Sequence, residues 1–342
     1  MRPCIGLDIG GANIKASDGE SRSLSRPFPM WREPDRLAGA LREIVAEFPS
    51  PVLLAVTMTG ELADCFATKA DGVRHILDAV ESVAGQTPTT VWTTSGELVA
   101  PRDARELVPL VAAANWHALA TWAARTHPHG TALLIDMGST TTDVIPLCDG
   151  IPVPQGRTDL ERLCSSELVY SGVKRTPVCA VAREVPLCGG TCPLAAEHFA
   201  TMLDVHLLLG NVAENESDTN TANGRPATRA EARSRLARML CSDVTDVDAG
   251  ELSKIARFLA QTQAAQLQNA IARVLKGIPN SCESLIISGE GEPILRQITA
   301  TLAALRGVPV LSITRTLGLR HSEAACAYAL ARLSRERATA GL

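Results

Sequence analysis

Apolar residues recur along this chain in two alternating rhythms. Runs of strand length are separated by stretches in which apolar positions repeat with helical spacing. Residues 4–28 read as a strand, a glycine turn and a β return. In 35–48, Leu37, Leu41, Ile44 and Val45 fall on one side of a helix. A strand at 51–58 ends in Thr59-Gly60-Glu61, a second amphipathic helix covers 72–85, and a strand at 89–94 ends at Ser95-Gly96. An Ala-rich, mostly buried helix is predicted for 108–126.

The pattern then restarts. TALLIDMG (131–138) is another strand running into an acidic turn, and Asp149-Gly150 between β-like runs signals a hairpin. From about 193 the character becomes helical, with Gly210 as the stop of a helix over 193–209. The polar stretch 214–227 reads as a loop or lid. Thr228-x-x-Glu231 and Asp248-x-x-Glu251 resemble capping boxes. The second opens a long helix with Leu252, Ile255, Leu259, Ile271 and Val274 on its apolar side and Gly277 after its end. Residues 283–295 return to strand, glycine turn and helix; a last strand (308–315) and a last helix (321–333) follow. Such alternation predicts an α/β architecture with ligands outside the strand ends.

The informative chemistry lies in two acidic glycine turns, LDIGGANIKAS (7–17) and LIDMGSTTTDV (134–144). Each is an apolar strand with an Asp near its end, then small residues, then a β return. Gly10 and Gly11 follow Asp8; Gly138, Ser139 and Thr140 follow Asp136. Small residues let a backbone approach a ligand closely, and exposed amides and hydroxyls suit phosphate. A carboxylate beside such a turn can hold Mg2+ through water. Asp8 and Asp136 are therefore the candidate metal residues, and Lys15 a candidate phosphate contact. A third turn, Gly289-Glu290-Gly291, leads into a helix whose N-terminus suits phosphate or nucleotide. Glu61 and Asp64, after a core strand, are candidate bases, since a phenol with a pKa near ~10 needs help to attack at neutral pH. Asn115 and His117, on an apolar helix, read as core residues, and Asp143 as a polar residue of a return strand. Lys174 and Arg175 read as surface bases able to meet an anion.

At 342 residues the chain has room for two cores. A net charge of −4 with mixed signs argues against a nucleic-acid partner. No apolar run approaches the ~20 residues of a membrane helix, and the start lacks signal-peptide features, so a cytoplasmic protein is expected. A homo-oligomer is left open. Of ten cysteines, Cys4, Cys65, Cys148 and Cys326 lie in apolar runs and read as small core residues. Cys164, Cys179, Cys188 and Cys192 form a loose cluster whose spacing fits zinc poorly, and buried thiols are the expectation.

DIGGANIK, DMGSTTTDV and SGEGEP, in this order, resemble the two phosphate loops and the adenosine loop of the actin–sugar kinase–Hsp70 superfamily. NWHALA (115–120) and HSEAACAYALA (321–331) lie where that fold has connecting helices. The resemblance implies a duplicated ribonuclease H-like α/β fold. Its halves would be 1–128 and 129–342, with a mostly helical insertion at about 156–280 and the last helix packing back on the first half. More narrowly, DIGGANIKAS, TMTGELADCF, DMGSTTTDVIP, ELVYSGVKRTPVCA and NGRPATR resemble hydantoinase/oxoprolinase-like proteins linked to tetrahydromethanopterin one-carbon chemistry. The first residue of NGRPATR departs from the family's DGRPATR-like pattern. Archaeal relatives work in methanofuran biosynthesis, joining an aminomethylfuran diphosphate to the phenol of γ-glutamyltyramine and releasing diphosphate. The resemblance thus implies a Mg2+-dependent transferase with a diphosphate donor and a phenolic acceptor, the acceptor lying toward 165–210. The rivals are an ATP-dependent kinase or hydrolase, with ATP at Gly289–Gly291, and a nucleotide-binding sensor without catalysis.

Overall fold

The computed structural model describes residues 3–49 and 51–339. The first half opens with β1 (Cys4–Gly10), β2 (Asn13–Ser17) and β3 (Ser23–Pro27), an antiparallel meander. Helix α1 (Leu37–Ala46) leads to β4 (Leu53–Thr59), parallel to β1. Helix α2 (Lys69–Ala84), capped by Thr68, leads to β5 (Thr89–Trp92), parallel to β4, and β6 (Leu98–Val99) closes the edge. Short helices α3 (Pro101–Ala104) and α4 (Val108–Val111) precede α5 (Asn115–Ala124).

The second half repeats the plan. Strands β7 (Thr131–Met137) and β8 (Thr142–Cys148) form a hairpin, which β9 (Ile151–Pro152) extends. The turn between β8 and β9 is Asp149-Gly150, both at positive φ (47° and 77°), as its sequence predicts. Helix α6 (Asp159–Ser165), with a Thr158–Glu161 capping box, precedes β10 (Leu168–Val169), antiparallel to β8. An excursion follows: α7 (Val178–Val181), the hairpin β11 (Glu184–Leu187) and β12 (Gly190–Pro193), α8 (Met202–Leu209), α9 (Arg229–Arg238) and the long α10 (Ala249–Gly277). The chain then returns through β13 (Ser284–Ser288), α11 (Glu292–Ala300) and β14 (Val310–Ser312). Helices α12 (Ile313–Leu317), α13 (Leu319–Ser322) and α14 (Ala325–Thr339) finish it.

The duplication is visible in strand order. The first sheet runs β3-β2-β1-β4-β5-β6 and the second β10-β8-β7-β13-β14. In each, the first strand is central, its hairpin partner lies on one side, and two parallel strands lie on the other. The parallel strands are buried on both faces, so they read as continuous apolar runs. Helices α5 and α14 join the halves. Cys326 and Ala329 of α14 pack with Leu134 and Ile286 of the second sheet, while Leu330 and Leu333 pack with Cys4 and Ala55 of the first. The contact is close at Gly6, where a Cβ would stand 2.2 Å from the Ala327 carbonyl oxygen. The last helix thus packs back on the first half. Among the described residues, no helix is long and apolar enough to cross a membrane.

The structure corrects several sequence expectations. The helix expected over 108–126 breaks at Ala112–Ala114, where Ala113 takes φ 48°. That expected over 193–209 starts only at Met202, because Thr201 and Asp204 form a capping box and Gly190–Pro193 is a strand. Gly277 is the last residue of α10, not the one beyond it. The last helix is two pieces, parted after Ser322. The region 156–280 carries strands as well as helices, and β10 belongs to the second sheet. Cys4 and Cys326 are buried as expected, but Cys65, Cys164 and Cys188 are exposed, and Cys148, Cys179 and Cys192 are half-buried.

Candidate active site between the two sheets

The three glycine turns sit on the strand ends they follow. In the first, a Cβ on Gly10 would lie 2.8 Å from the Asn13 carbonyl, and one on Gly60 would lie 3.1 Å from the Gly10 backbone. The turn after β1 is therefore stacked on the turn after β4, and Gly11 faces Gly60. In the second, the Gly138 amide donates to the Thr141 carbonyl at 2.9 Å. Amides of Val173, Lys174 and Arg175 donate to the Gly138 and Ser139 carbonyls at 2.9–3.0 Å, so ELVYSGVKR is the brace of this loop. The Ser139 and Thr140 hydroxyls lie 3.5 Å apart. In the third, Gly289 at φ 89° has no room for a side chain, which would stand 2.3 Å from the Met137 carbonyl. The Gly291 amide donates to that carbonyl at 2.9 Å. The second and third turns are thus in contact, and Lys174 from the brace pairs with Glu290 at 2.7 Å.

The register sets the acids in equivalent places. Asp8 on β1 faces Lys15 on β2 and Thr57 on β4; Asp136 on β7 faces Asp143 on β8 and Ser288 on β13. Asp8 is 4% exposed, and its Oδ1 has no hydrogen-bond partner. Burial raises its pKa against the pull of Lys15 and of the Asn115 side chain. Burial acts to lower Lys15, but Asp8, Cys326, Asp136 and Glu290 outweigh it, and the ammonium is held above its usual pKa. Lys15 therefore stays charged and senses carboxylates from both halves. Burial, with Asp143 opposite, pushes Asp136 up to about 6, although Ser288 and Lys15 act the other way. The site is an acid-rich group around the Lys15 ammonium, with Asp8 buried and Lys15, Asp136 and Asp143 half-buried.

A second group lies across the same interface. Arg162, 1% exposed, donates to Asp143 at 2.6 Å, reaches Asp159 at 3.7 Å and stacks on Trp116 with its carbon 3.9 Å from the ring centre. Asp159 in turn acts on Glu61 of the first half. Glu61 is 2% exposed, pinned under α2 where Gly72 meets its backbone. Burial, reinforced by Asp159, pushes its carboxyl up to about 7, against the Glu61 and Ala113 amides and Lys69. The native chain thus holds this proton more tightly than the unfolded chain does. Its contribution to stability is complete below the ordinary pKa of 4.5 and is lost as pH rises through about 7. Glu61→Gln, neutral throughout, should match the parent near pH 4.5 and exceed it by about 3 kcal/mol at pH 8. Melting curves at the two pH values decide this; a parent that loses nothing relative to the variant refutes it.

The structure thus gathers Asp8, Lys15, Asp136, Gly138–Thr140 and Gly289–Gly291, with Gly10 and Gly11 on the facing strand end. Glu61 lies deeper, in the interface with Asp159. Asp64 is exposed in the loop before α2, which Thr68 caps. Sequence reasoning undervalued Asn115, whose side chain reaches Asp8, and Asp143, which is no bystander of a return strand. It missed Asp159 and Arg162, whose meeting depends on tertiary packing. It also missed Thr57 and Ser288, signalled only as hydroxyl residues inside apolar strands.

The donor set suits a hard cation: the carboxylate oxygens of buried Asp8, one of them without a partner, and of half-buried Asp136. Among the described residues no three His, Cys, Asp or Glu side chains are grouped to hold an ion by themselves. A cation between Asp8 and Asp136 would complete its shell with water or phosphate oxygens, the habit of Mg2+.

Two copies of one strand order, an acid before a glycine turn on the central strand of each, and a helix pair between them define the duplicated α/β class of actin, sugar kinases and Hsp70. Within that class, the sequence pattern of the hydantoinase/oxoprolinase family matches residues 53–337, and the chain belongs to this family. It is 33% identical over 332 residues to the (4-{4-[2-(gamma-L-glutamylamino)ethyl]phenoxymethyl}furan-2-yl)methanamine synthase of Methanocaldococcus jannaschii, covering 96% of each chain. A protein of the same name from Methanococcus vannielii is 31% identical over 188 residues, 54% of this chain and 82% of that one. Among solved structures, component A of Acidaminococcus fermentans (R)-2-hydroxyglutaryl-CoA dehydratase aligns with a TM-score of 0.47 at 12% identity, over 99% of this chain and 100% of that one. An archaeal actin homologue in complex with ADP aligns with a TM-score of 0.47 at 15% identity, over 98% and 100%. The fold assignment rests on the strand order and not on these two alignments.

Proposed function

We propose that the chain is a methanofuran-pathway synthase: a Mg2+-dependent transferase that joins an aminomethylfuran diphosphate to the phenol of γ-glutamyltyramine and releases diphosphate. The observation that supports it most is the Asp8–Lys15–Asp136 group between glycine turns, in a chain one third identical over nearly its whole length to a synthase of that name. In this reading the turns at Gly10–Gly11 and Gly138–Thr140 hold the diphosphate by backbone and hydroxyl donors. Lys15 meets its charge directly. Asp8 and Asp136 would hold Mg2+ through water, and the ion would supply positive charge to the leaving diphosphate.

The reaction breaks the bond between the furan methylene carbon and the diphosphate oxygen and forms one between that carbon and the phenol oxygen. The electron pair leaves with diphosphate, and the phenol proton passes to a base or to water. An oxygen-substituted furan methylene ionises readily, so the protein mainly places the phenol and excludes competing water. Glu61, with its raised pKa, is the better placed of the two predicted bases; Asp64 is exposed.

The test is a product assay by mass spectrometry. Purified chain and Mg2+ are given aminomethylfuran diphosphate and γ-glutamyltyramine, with and without ATP. Coupled product without ATP is expected. ATP consumption without coupling would overturn the transferase reading in favour of the ATP-dependent one.

A further inference from the structure

A recess opens beside α5, where the chain leaves β5 and passes the hairpin end of β9. Its walls are Thr94, Ser95, His117, the run Pro152–Pro154 and Arg157, and it holds about 370 Å³, within the usual range of small-molecule sites. Thr94 and Ser95 follow a parallel strand, as the glycine turns follow β1 and β4, so the recess lies along the same crevice edge as the acids.

Three side chains give it chemistry. Thr94 is 2% exposed, and its Oγ1 is buried without a hydrogen-bond partner. Arg157 is exposed and forms no ion pair among the described residues, although Glu161 lies in its field. The other cations near His117 are engaged: Arg162 by Asp143 and Asp159, and Arg337 by the Gly96 carbonyl and the Trp92 ring, with Glu97 in its field. His117 is 7% exposed, beside the Trp92 and Trp116 rings. Burial, with Arg157, Arg162 and Arg337, pushes it down to about 4, so it is a neutral ring. The Thr121 hydroxyl spends its proton on the His117 carbonyl at 2.7 Å. The 3.3 Å contact between that hydroxyl and Nδ1 then has the ring donating, which leaves Nε2 an acceptor. Among the described residues, no acidic side chain lines the recess.

The geometry points to an amino-acid end as the ligand: Arg157 and the Thr94 hydroxyl donate to its carboxylate, and His117 Nε2 accepts from its ammonium. Resting on the transferase reading, this is the subsite for the glutamyl end of the acceptor, whose α-carboxylate and α-ammonium are both free; it lies outside 165–210, where the sequence placed the acceptor.

Calorimetric titration of the full chain with L-glutamate, glutarate and inorganic phosphate tests the recess without any turnover. Glutamate is expected to bind most tightly, and Arg157→Gln to weaken it about tenfold. Thr94→Val should weaken it several-fold, and Gly39→Ala, at an exposed position of α1, should not. Phosphate binding as tight as glutamate, or glutamate binding indifferent to Arg157 and Thr94, overturns the assignment. In the coupling assay, Arg157→Gln should raise the KM for γ-glutamyltyramine about tenfold with kcat unchanged, and leave tyramine, which lacks the amino-acid end, unaffected. If the parent couples neither phenol, the transferase reading falls, while the glutamate titration still decides the recess.

Discussion

Asp136→Asn is expected to cost at least about a thousandfold in coupled product while leaving the fold as stable as the parent or more so. The direction follows from the register. Asp136 faces Asp143 across the β7–β8 pair, and burial together with Asp143 disfavours its charged form. An amide of the same shape relieves that repulsion and keeps the backbone bonds of the strand. The same change removes a negative charge from the place a cation would need it. Asp8→Asn should lose product to a similar degree but also lose stability, because it strips the facing counter-charge from half-buried Lys15. Product assay and thermal melting on both variants separate the cases. An Asp136→Asn chain that makes product within tenfold of the parent would end the metal assignment.

Gly6→Ala is expected to destabilise the chain by about 3 kcal/mol or more, for reasons unconnected with chemistry. The added methyl would stand 2.2 Å from the Ala327 carbonyl oxygen and 2.8 Å from the Ala331 nitrogen, both backbone atoms of α14. Neither can swing aside as a side-chain tip would. The helix must lift from β1, which also disturbs its packing against the second sheet. A fall in Tm of about 4 °C or more is expected. Gly39→Ala is the control: an exposed position of α1 where a Cβ meets nothing within 4 Å. It should be neutral or stabilising by up to about 1 kcal/mol. Equal Tm values for the two variants would refute the tight seat of α14.

The alternation of strands and helices, and its restart near residue 131, were legible because buried parallel strands are continuous apolar runs. So were the acids, standing where an apolar run meets a glycine turn. The break at Ala112–Ala114 was not. Three alanines carry no sign of a helix end, and the positive φ of Ala113 is imposed from outside, where its amide faces the Glu61 carboxylate. The late start of α8 had a signal that helical propensity upstream masked, the spacing of Thr201 and Asp204. In the site, Asp143 had one as well: it follows Asp136 by seven residues, as Lys15 follows Asp8. Arg162 had none, since its place over Trp116 joins segments that only the folded chain brings together.

That shared spacing of seven has a consequence for orientation. A site made by duplication inherits a two-fold axis, and a ligand entering it has two equivalent ways to lie. Here the return strands carry opposite signs, an ammonium at Lys15 and a carboxylate at Asp143. The axis survives in the backbone and is lost in the electric field. A diphosphate ester, more negative at its free end than at its esterified one, would therefore have a head and a tail in this cleft.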